Sequence, residues 1–224
     1  MEEKVLDVHN CHELKDWFES NSGKETECWL KVEIRNPASS EAVYYLDAIE
    51  EALCFGWTEG THKIGKGGGI QEFVPREKGS VWTELDKERV RRLEKLGLMT
   101  EAGRRVLPEM GADSFRIDPE IESAMRKARV WRKFKSFSSL YQRVRAFYVE
   151  SYKKRNIHKY KQTLKCLIDE TKAGLLGGLL TRFMILRVRV RYQQVKKFII
   201  TAQEDSLFSW SVSHKREMNC AKLS

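Results

Sequence analysis

An indole pair, a guanidinium, two carboxylates, an ammonium and a hydroxyl fall close together between residues 57 and 86: Trp57, Glu59, Lys63, Arg76, Ser80, Trp82 and Asp86. An indole beside a guanidinium suits a planar or anionic ligand, through stacking, cation–π contact and forked hydrogen bonds. In that reading Arg76 holds an anion or a partner's carboxylate, and Trp57 and Trp82 supply stacking area. Glu59 or Asp86 would be the acid/base if the site is catalytic, which requires a carboxylate in a water-poor cleft. The same residues admit a purely architectural reading. Trp57 and Trp82 then pin a hairpin to neighbouring helices, and Glu59 and Arg76 form a cross-strand ion pair.

A second constellation is the run YKKRNIHKYK at 152–161. It interleaves Tyr152 and Tyr160 with Lys153, Lys154, Arg155, Lys159 and Lys161, a pattern that can grip a phosphate backbone and stack bases. The alternative is a solvated connection between helices. Three further signals are weaker. His9-Asn10-Cys11-His12 crowds metal-ligand types together, but adjacent residues point in different directions and no companion pair exists, so no metal is expected. Cys54 with His62 could form a nucleophile pair, but Cys54 sits at an apolar helix end. The stretch GKGGG lacks the GxxxxGK[ST] spacing of a phosphate loop. No cofactor motif appears.

The elements that must position these groups follow from periodicity. Leu14, Trp17 and Phe18 share a helical face over 12–20, closed by Asn21-Ser22-Gly23. Residues 27–34 alternate as a half-buried strand. A helix is expected over 41–55, capped by Ser39 or Ser40, with Val43, Leu46, Ile49 and Leu53 inward, Glu50 and Glu51 outward, and Gly56 as its stop. Residues 57–76 read as a two-stranded hairpin around Gly67-Gly68-Gly69. Thr83-Glu84-Leu85-Asp86 fits a capping box, and the helix behind it turns Leu85, Val90, Leu93 and Leu96 inward. Thr100 caps a further helix over 101–110. With the preceding helix this mimics a helix-turn-helix that would present Arg104 and Arg105. Helices are expected over 119–134, 136–151 and 157–172, the first opened by Asp118-Pro119. Residues 186–192 alternate like a strand, and 201–224 read as a loose tail.

Composition narrows the class. The chain has 224 residues, of which 41% are hydrophobic, enough for a real core. No run of about 18 apolar residues suggests a membrane span. The amino terminus has no apolar export segment, so a cytoplasmic location is expected. Five widely spaced cysteines fit free thiols, with Cys54 and Cys166 expected to be buried. Charge is unevenly shared: residues 1–110 hold 16 Lys and Arg against 22 Asp and Glu, whereas residues 111–224 hold 25 against 10. A basic half can face nucleic acid, dock on acidic surface, or simply be solvated.

The phrases EALCFGWTEG, EFVPREKGSVWTELDKERVRRLEKLGLMTEAG and ECWLKVEI together resemble the YdeI/OmpD-associated family, also called the bacteriocin-protection or OmdA family. The shared residues are Ala52 to Trp57, Gly60, Phe73, Pro75, Arg76, Ser80, Trp82, Arg89, Gly97, Met99 and Gly103. The helical stretch from 134 onward is similar to the end of some members, so the resemblance covers about 12–174. Thr58, Glu59 and Asp86 depart from the family's usual Ile, Asp and Asn. The resemblance implies a binding role linked to envelope defence against antimicrobial peptides or bacteriocins, with no catalytic mechanism attached.

The expectation is an α+β domain over 1–174: a small antiparallel sheet packed with helices over 12–110, then a basic helical part over 111–174. Residues 175–224 stay unassigned. Partners are an anionic small molecule or a protein, with nucleic acid as the alternative. The residues do not fix whether the protein is an enzyme.

Overall fold

The computed structural model describes residues 5–33, 43–65 and 68–176. The chain divides after Ile185. The expected strand at 186–192, the tail at 201–224 and the caps Ser39 and Ser40 lie outside the described residues. The fold is α+β, with a small sheet packed by helices and a helical C-terminal region.

Helix α1 (Cys11–Asn21) begins where the Asn10 side chain accepts hydrogen bonds from the N–H groups of His12 and Glu13. The histidine-rich tetrapeptide thus serves as a helix start. Leu14 and Phe18, one turn apart, are buried. Strand β2 (Cys28–Glu33) is the middle of the sheet. One edge pairs antiparallel with β5 (Gly68–Pro75), and the other receives the short strands β1 (Val5–Leu6) and β3 (Val43–Tyr44), both parallel. The sheet is therefore mixed, with its antiparallel part in the β2–β5–β4 ladder. Cys28, Leu30 and Val32 are buried as the alternation requires, but Trp29 on the opposite face is buried too. The Lys63 ammonium lies 4.6 Å from its ring centre, so the outer face is covered at Trp29 while Lys31 stays exposed, and the strand is half-buried as expected apart from Trp29.

Helix α2 (Tyr45–Cys54) starts four residues later than periodicity suggests. Val43 and Tyr44 are drawn into the edge of β2, and extended backbone there excludes the helix's first turn. Glu51, expected outward, is buried, and Glu50 pairs with Arg92 at 2.5 Å. The chain leaves α2 through Gly56, whose φ of 77° suits glycine, and enters β4 (Trp57–Gly65). β4 and β5 form the expected hairpin, with Gly65 opposite Gly68 and a bulge between Glu59 and His62.

Helix α3 (Glu84–Lys95) keeps half of its capping box: Thr83 Oγ1 accepts from the Asp86 N–H at 3.0 Å, while the Asp86 carboxylate turns to Arg89. Leu85 and Leu96 are only half-buried, and Glu84, Asp86 and Arg89 join Val90 and Leu93 inside. Helix α4 (Glu101–Arg105) is five residues long where ten were expected. Pro108 disfavours helical backbone at Leu107 and supplies no N–H, so the helix stops before it. A Cβ at Gly103 would collide with the Cys54 carbonyl oxygen. That oxygen accepts hydrogen bonds from both the N–H and the hydroxyl of Thr100, so glycine is what lets α4 seat on the end of α2.

The C-terminal region holds α5 (Pro119–Lys127), α6 (Trp131–Lys135), α7 (Ser139–Glu150) and α8 (Ile157–Ala173). The single helix expected over 119–134 is thus two, broken at Arg129, whose φ of 59° is left-handed. Ile121, Met125, Val130, Phe134, Tyr141, Val149, Tyr160 and Leu167 form its core. Cys166, expected to be buried, is exposed on α8, where its thiol points to Glu170 Oε1 at 3.4 Å. The amphipathic stripe of α8 turns Leu167, not its neighbour, into the core.

Candidate functional site

The aromatic and charged groups of the hairpin region do come together, but most are consumed by the fold. Trp57 is 1% exposed. Its ring meets Trp17 and Phe18 edge-on at 5.9 and 5.4 Å, and its Nε1 donates to the Ser22 carbonyl at 3.2 Å. It offers no stacking surface to a ligand. Trp82 is 5% exposed and lies under Arg76, whose guanidinium carbon is 3.9 Å from the ring centre. Arg76 Nη1 donates to the Val81 carbonyl at 3.0 Å and Nη2 to Thr58 Oγ1 at 2.7 Å, while Asp86 stands 3.9 Å away. Burial pulls this guanidinium below the ordinary arginine range, against the pull of Asp86 and Glu59.

Glu59 is exposed and accepts a hydrogen bond from the Tyr45 hydroxyl at 2.6 Å, in place of the expected ion pair with Arg76. Burial and this acceptor push the Tyr45 hydroxyl well above the usual tyrosine range. Asp86 is held by Arg89 at 2.8 Å. Neither carboxylate stands alone in a dry cleft. Ser80 Oγ is buried without a hydrogen-bond partner. Lys63 lies over Trp29, opposite Ile70 toward the turn end of the hairpin. His62 bonds the Gln71 carboxamide at 3.1 Å, and Cys54 lies buried at the end of α2. Burial pushes the Cys28 thiol up to about 12, which suits an inert core group. Arg104 pairs with Glu94 at 2.8 Å and Arg105 with Glu101 at 3.7 Å, so both cations of the helix-turn-helix mimic are neutralised locally.

What the hairpin cluster positions is the loop between β5 and α3. Arg76 grips the Val81 carbonyl, and the Val81 side chain, 78% exposed, stands at the lip of a cavity of about 900 Å³. The cavity opens between the amino end of α3 and the carboxyl end of α7. Leu85, Val144, Phe147, Tyr148 and Tyr152 make its wall. The two tyrosines pack edge-on, with ring centres 5.4 Å apart. Lys153, Lys154 and Arg155 form its rim. Arg145 also lines it, is 6% exposed, and has an Nε with no hydrogen-bond partner, although its Nη2 binds Glu170 at 2.5 Å. An apolar wall with convergent cations is the form of a small-molecule site.

The basic run at 152–161 is thereby split. Lys153 is tied to Asp118 at 2.8 Å and to Glu120 at 3.0 Å. Tyr160 is buried and cannot stack on a base. Lys159 reaches Gln162 at 3.4 Å, Lys161 is exposed, and Lys154 and Arg155 are exposed at the cavity mouth, where the Arg155 Nε donates to the Ser151 carbonyl at 2.8 Å. Arg145, Phe147 and Tyr148 were not singled out by sequence. Their helical spacing reads as ordinary core, and only the approach of α3 turns it into a wall.

Asp118 links this rim to pH. Burial pushes its carboxyl up, but the Lys153 hydrogen bond and the N–H groups of Glu120 and Ile121 outweigh that and hold it below the usual aspartate range. A carboxyl lowered in the folded state stabilises above its unfolded value of about 3.9. That contribution disappears as pH falls through the lower folded value. Asp118→Asn retains the helix cap and removes the charge. Urea unfolding midpoints between about pH 5 and pH 2 should therefore fall less steeply for this variant than for the parent. Parallel slopes would show that Asp118 and Lys153 are uncoupled.

Residues 6–106 match the profile of a domain of unknown function, DUF8412. The match runs from β1 to the end of α4 and spans less than half of the chain, so it is what the α+β part is similar to. No curated protein and no solved structure matches the chain. Among the described residues no helix is long and apolar enough to cross a membrane, and no group of three or more His, Cys, Asp and Glu could hold a metal ion.

Proposed function

We propose that the chain is a binding protein of the YdeI/OmpD-associated kind, acting in the cytoplasm, whose ligand is an amphipathic anion held between α3 and α7. The observation that supports this is the cavity itself. Its wall is mainly aromatic and aliphatic, with the lining carboxylates Glu84 and Asp118 already paired to Arg143 and Lys153 and Glu150 beside them, Lys154 and Arg155 are exposed at its rim, and the buried Arg145 Nε has no partner. An organic carboxylate or phosphate with an apolar body satisfies all three. Burying the body removes apolar wall from water at about 25 cal/mol per Å². The charged end meets cations that hold an anion in partial shelter from solvent. A cationic rim repels cationic peptides, so a link to antimicrobial-peptide resistance runs through an anionic ligand and not through capture of the peptide.

Calorimetric titration with decanoate and with decanol separates headgroup from chain. Decanoate is expected to bind with one-site stoichiometry and decanol more weakly. Val81→Glu and Lys154→Glu/Arg155→Glu, all at exposed positions, should each weaken decanoate by about 5-fold or more, equivalent to ~1 kcal/mol. Equal affinity for the parent and both variants, or no saturable binding, would remove the cavity as the site.

A further inference from the structure

Cations of the C-terminal half also gather away from the 152–161 turn, at the elbow between α5 and α6. Within residues 126–135 stand Arg126, Lys127, Arg129, Arg132, Lys133 and Lys135, with no acid among them. All six are exposed. Arg126 is paired with Glu122 at 2.6 Å, and Lys133 donates to the Lys172 carbonyl at 2.7 Å. Lys127, Arg129, Arg132 and Lys135 have no acidic partner among the described residues. The elbow therefore carries an uncompensated positive field, whereas the 152–161 turn has spent Lys153 on Asp118 and Glu120.

Arg129 is the second and independent observation. The chain turns out of α5 with the Val130 N–H bonded to the Met125 carbonyl at 3.0 Å and the Arg129 N–H to the Arg126 carbonyl at 2.9 Å. That pattern places the residue before Val130 in the left-handed region, the usual position of glycine. Here it is Arg129, at φ 59°, the sole residue other than glycine with positive φ among those described. A long, exposed, unpaired side chain is thus kept where backbone strain argues against it, which points to a use for its charge.

We infer that the α5–α6 elbow is a sequence-independent contact for the phosphate backbone of a nucleic acid. Lys127, Arg129, Arg132 and Lys135 approach the phosphates. Trp131, half-buried with Arg126 at 5.1 Å and Lys135 at 5.7 Å from its ring centre, stiffens the two flanking cations and does not itself read a base. A backbone contact is favoured over a lipid surface because no large apolar side chain of 126–135 is exposed, and lipid-surface helices bury an apolar face. The elbow shares no residue with the α3–α7 cavity, so this inference stands or falls separately from the ligand proposed there.

The test is fluorescence anisotropy with the full chain, a labelled 20-nucleotide single strand and the matching duplex, over a salt series. Four phosphate contacts give a slope of log K against log salt near −3 for the single strand and near −4 for the duplex. Lys127→Gln/Arg129→Gly/Arg132→Gln/Lys135→Gln should weaken both by at least tenfold at low salt and flatten the slopes. Lys154→Gln/Arg155→Gln should leave them within about twofold. Arg129→Gly alone is the sharper arm: it relieves the backbone, raising Tm by roughly 1–3 °C, yet lowers affinity. Unchanged affinity in the elbow variants overturns the inference. So does loss of binding in the cavity-rim variant, or capture of phosphatidylserine vesicles with no measurable binding to either oligonucleotide.

Discussion

Trp57→Ala lowers the unfolding free energy by about 3–5 kcal/mol, the range for removing a buried large aromatic. Its decanoate affinity, measured at low temperature where the variant is folded, stays at the parent value. The reason is geometric. The indole is enclosed, its ring edges are met by Trp17 and Phe18, and its Nε1 is used by the Ser22 carbonyl. Alanine would leave a void where α1 crosses the start of β4 and would orphan that carbonyl. Urea unfolding followed by circular dichroism reads the stability, and titration calorimetry reads the affinity. A stable variant with weakened binding would return Trp57 to the ligand site and reverse the architectural assignment. Other residues of the hairpin region and of α4 have structural jobs of the same kind. Arg76 and Trp82 stack to hold a loop, and Gly103 lets α4 seat on α2.

Arg143→Met is expected to cost roughly 3 kcal/mol in the same unfolding measurement, at the lower end of what breaking a buried ion pair loses. Arg143 on α7 reaches two carboxylates of α3, Glu84 at 3.2 Å and Glu88 at 3.1 Å. Glu84 is 2% exposed and would be left with Lys87 alone, at 3.0 Å. An under-compensated buried carboxylate is costly because water cannot replace the lost partner. The double variant Arg143→Met/Glu84→Gln removes charge from both sides and should recover a good part of the loss. A single variant as stable as the parent would mean that α3 and α7 are joined by packing alone. Because Glu84 and Val144 both face the cavity, the single variant should also loosen its wall and weaken decanoate.

The elements were legible where local rules act alone. Thr83, Thr100 and Asp118 cap α3, α4 and α5 through side-chain oxygens, and Gly68 and Gly69 open the second strand of the hairpin. The readings failed where a partner distant in sequence intervened. Val43 has helical spacing with Leu46, but β2 claims it together with Tyr44. Arg129 sits inside an unbroken periodic pattern, yet the chain turns there so that Phe134 and Met125 can share one core. The candidate site shows the same division. Residues 57 to 86 were singled out by type, and the structure does cluster Glu59, Arg76, Trp82 and Asp86, but with Tyr45 and Arg89 filling the contacts a ligand would need.

By itself the sequence determined the α+β class, the hairpin, the capped helices and the concentration of cations in the second half, because each follows from neighbours within a few positions. Only the tertiary structure decided that Trp57 is core and that Lys153 is neutralised. It alone made Val81, Leu85, Phe147 and Tyr148 into one cavity. Burial and charge pairing are set by which surfaces meet, and contacts between α3 and α7 join residues nearly sixty positions apart, which no local pattern encodes.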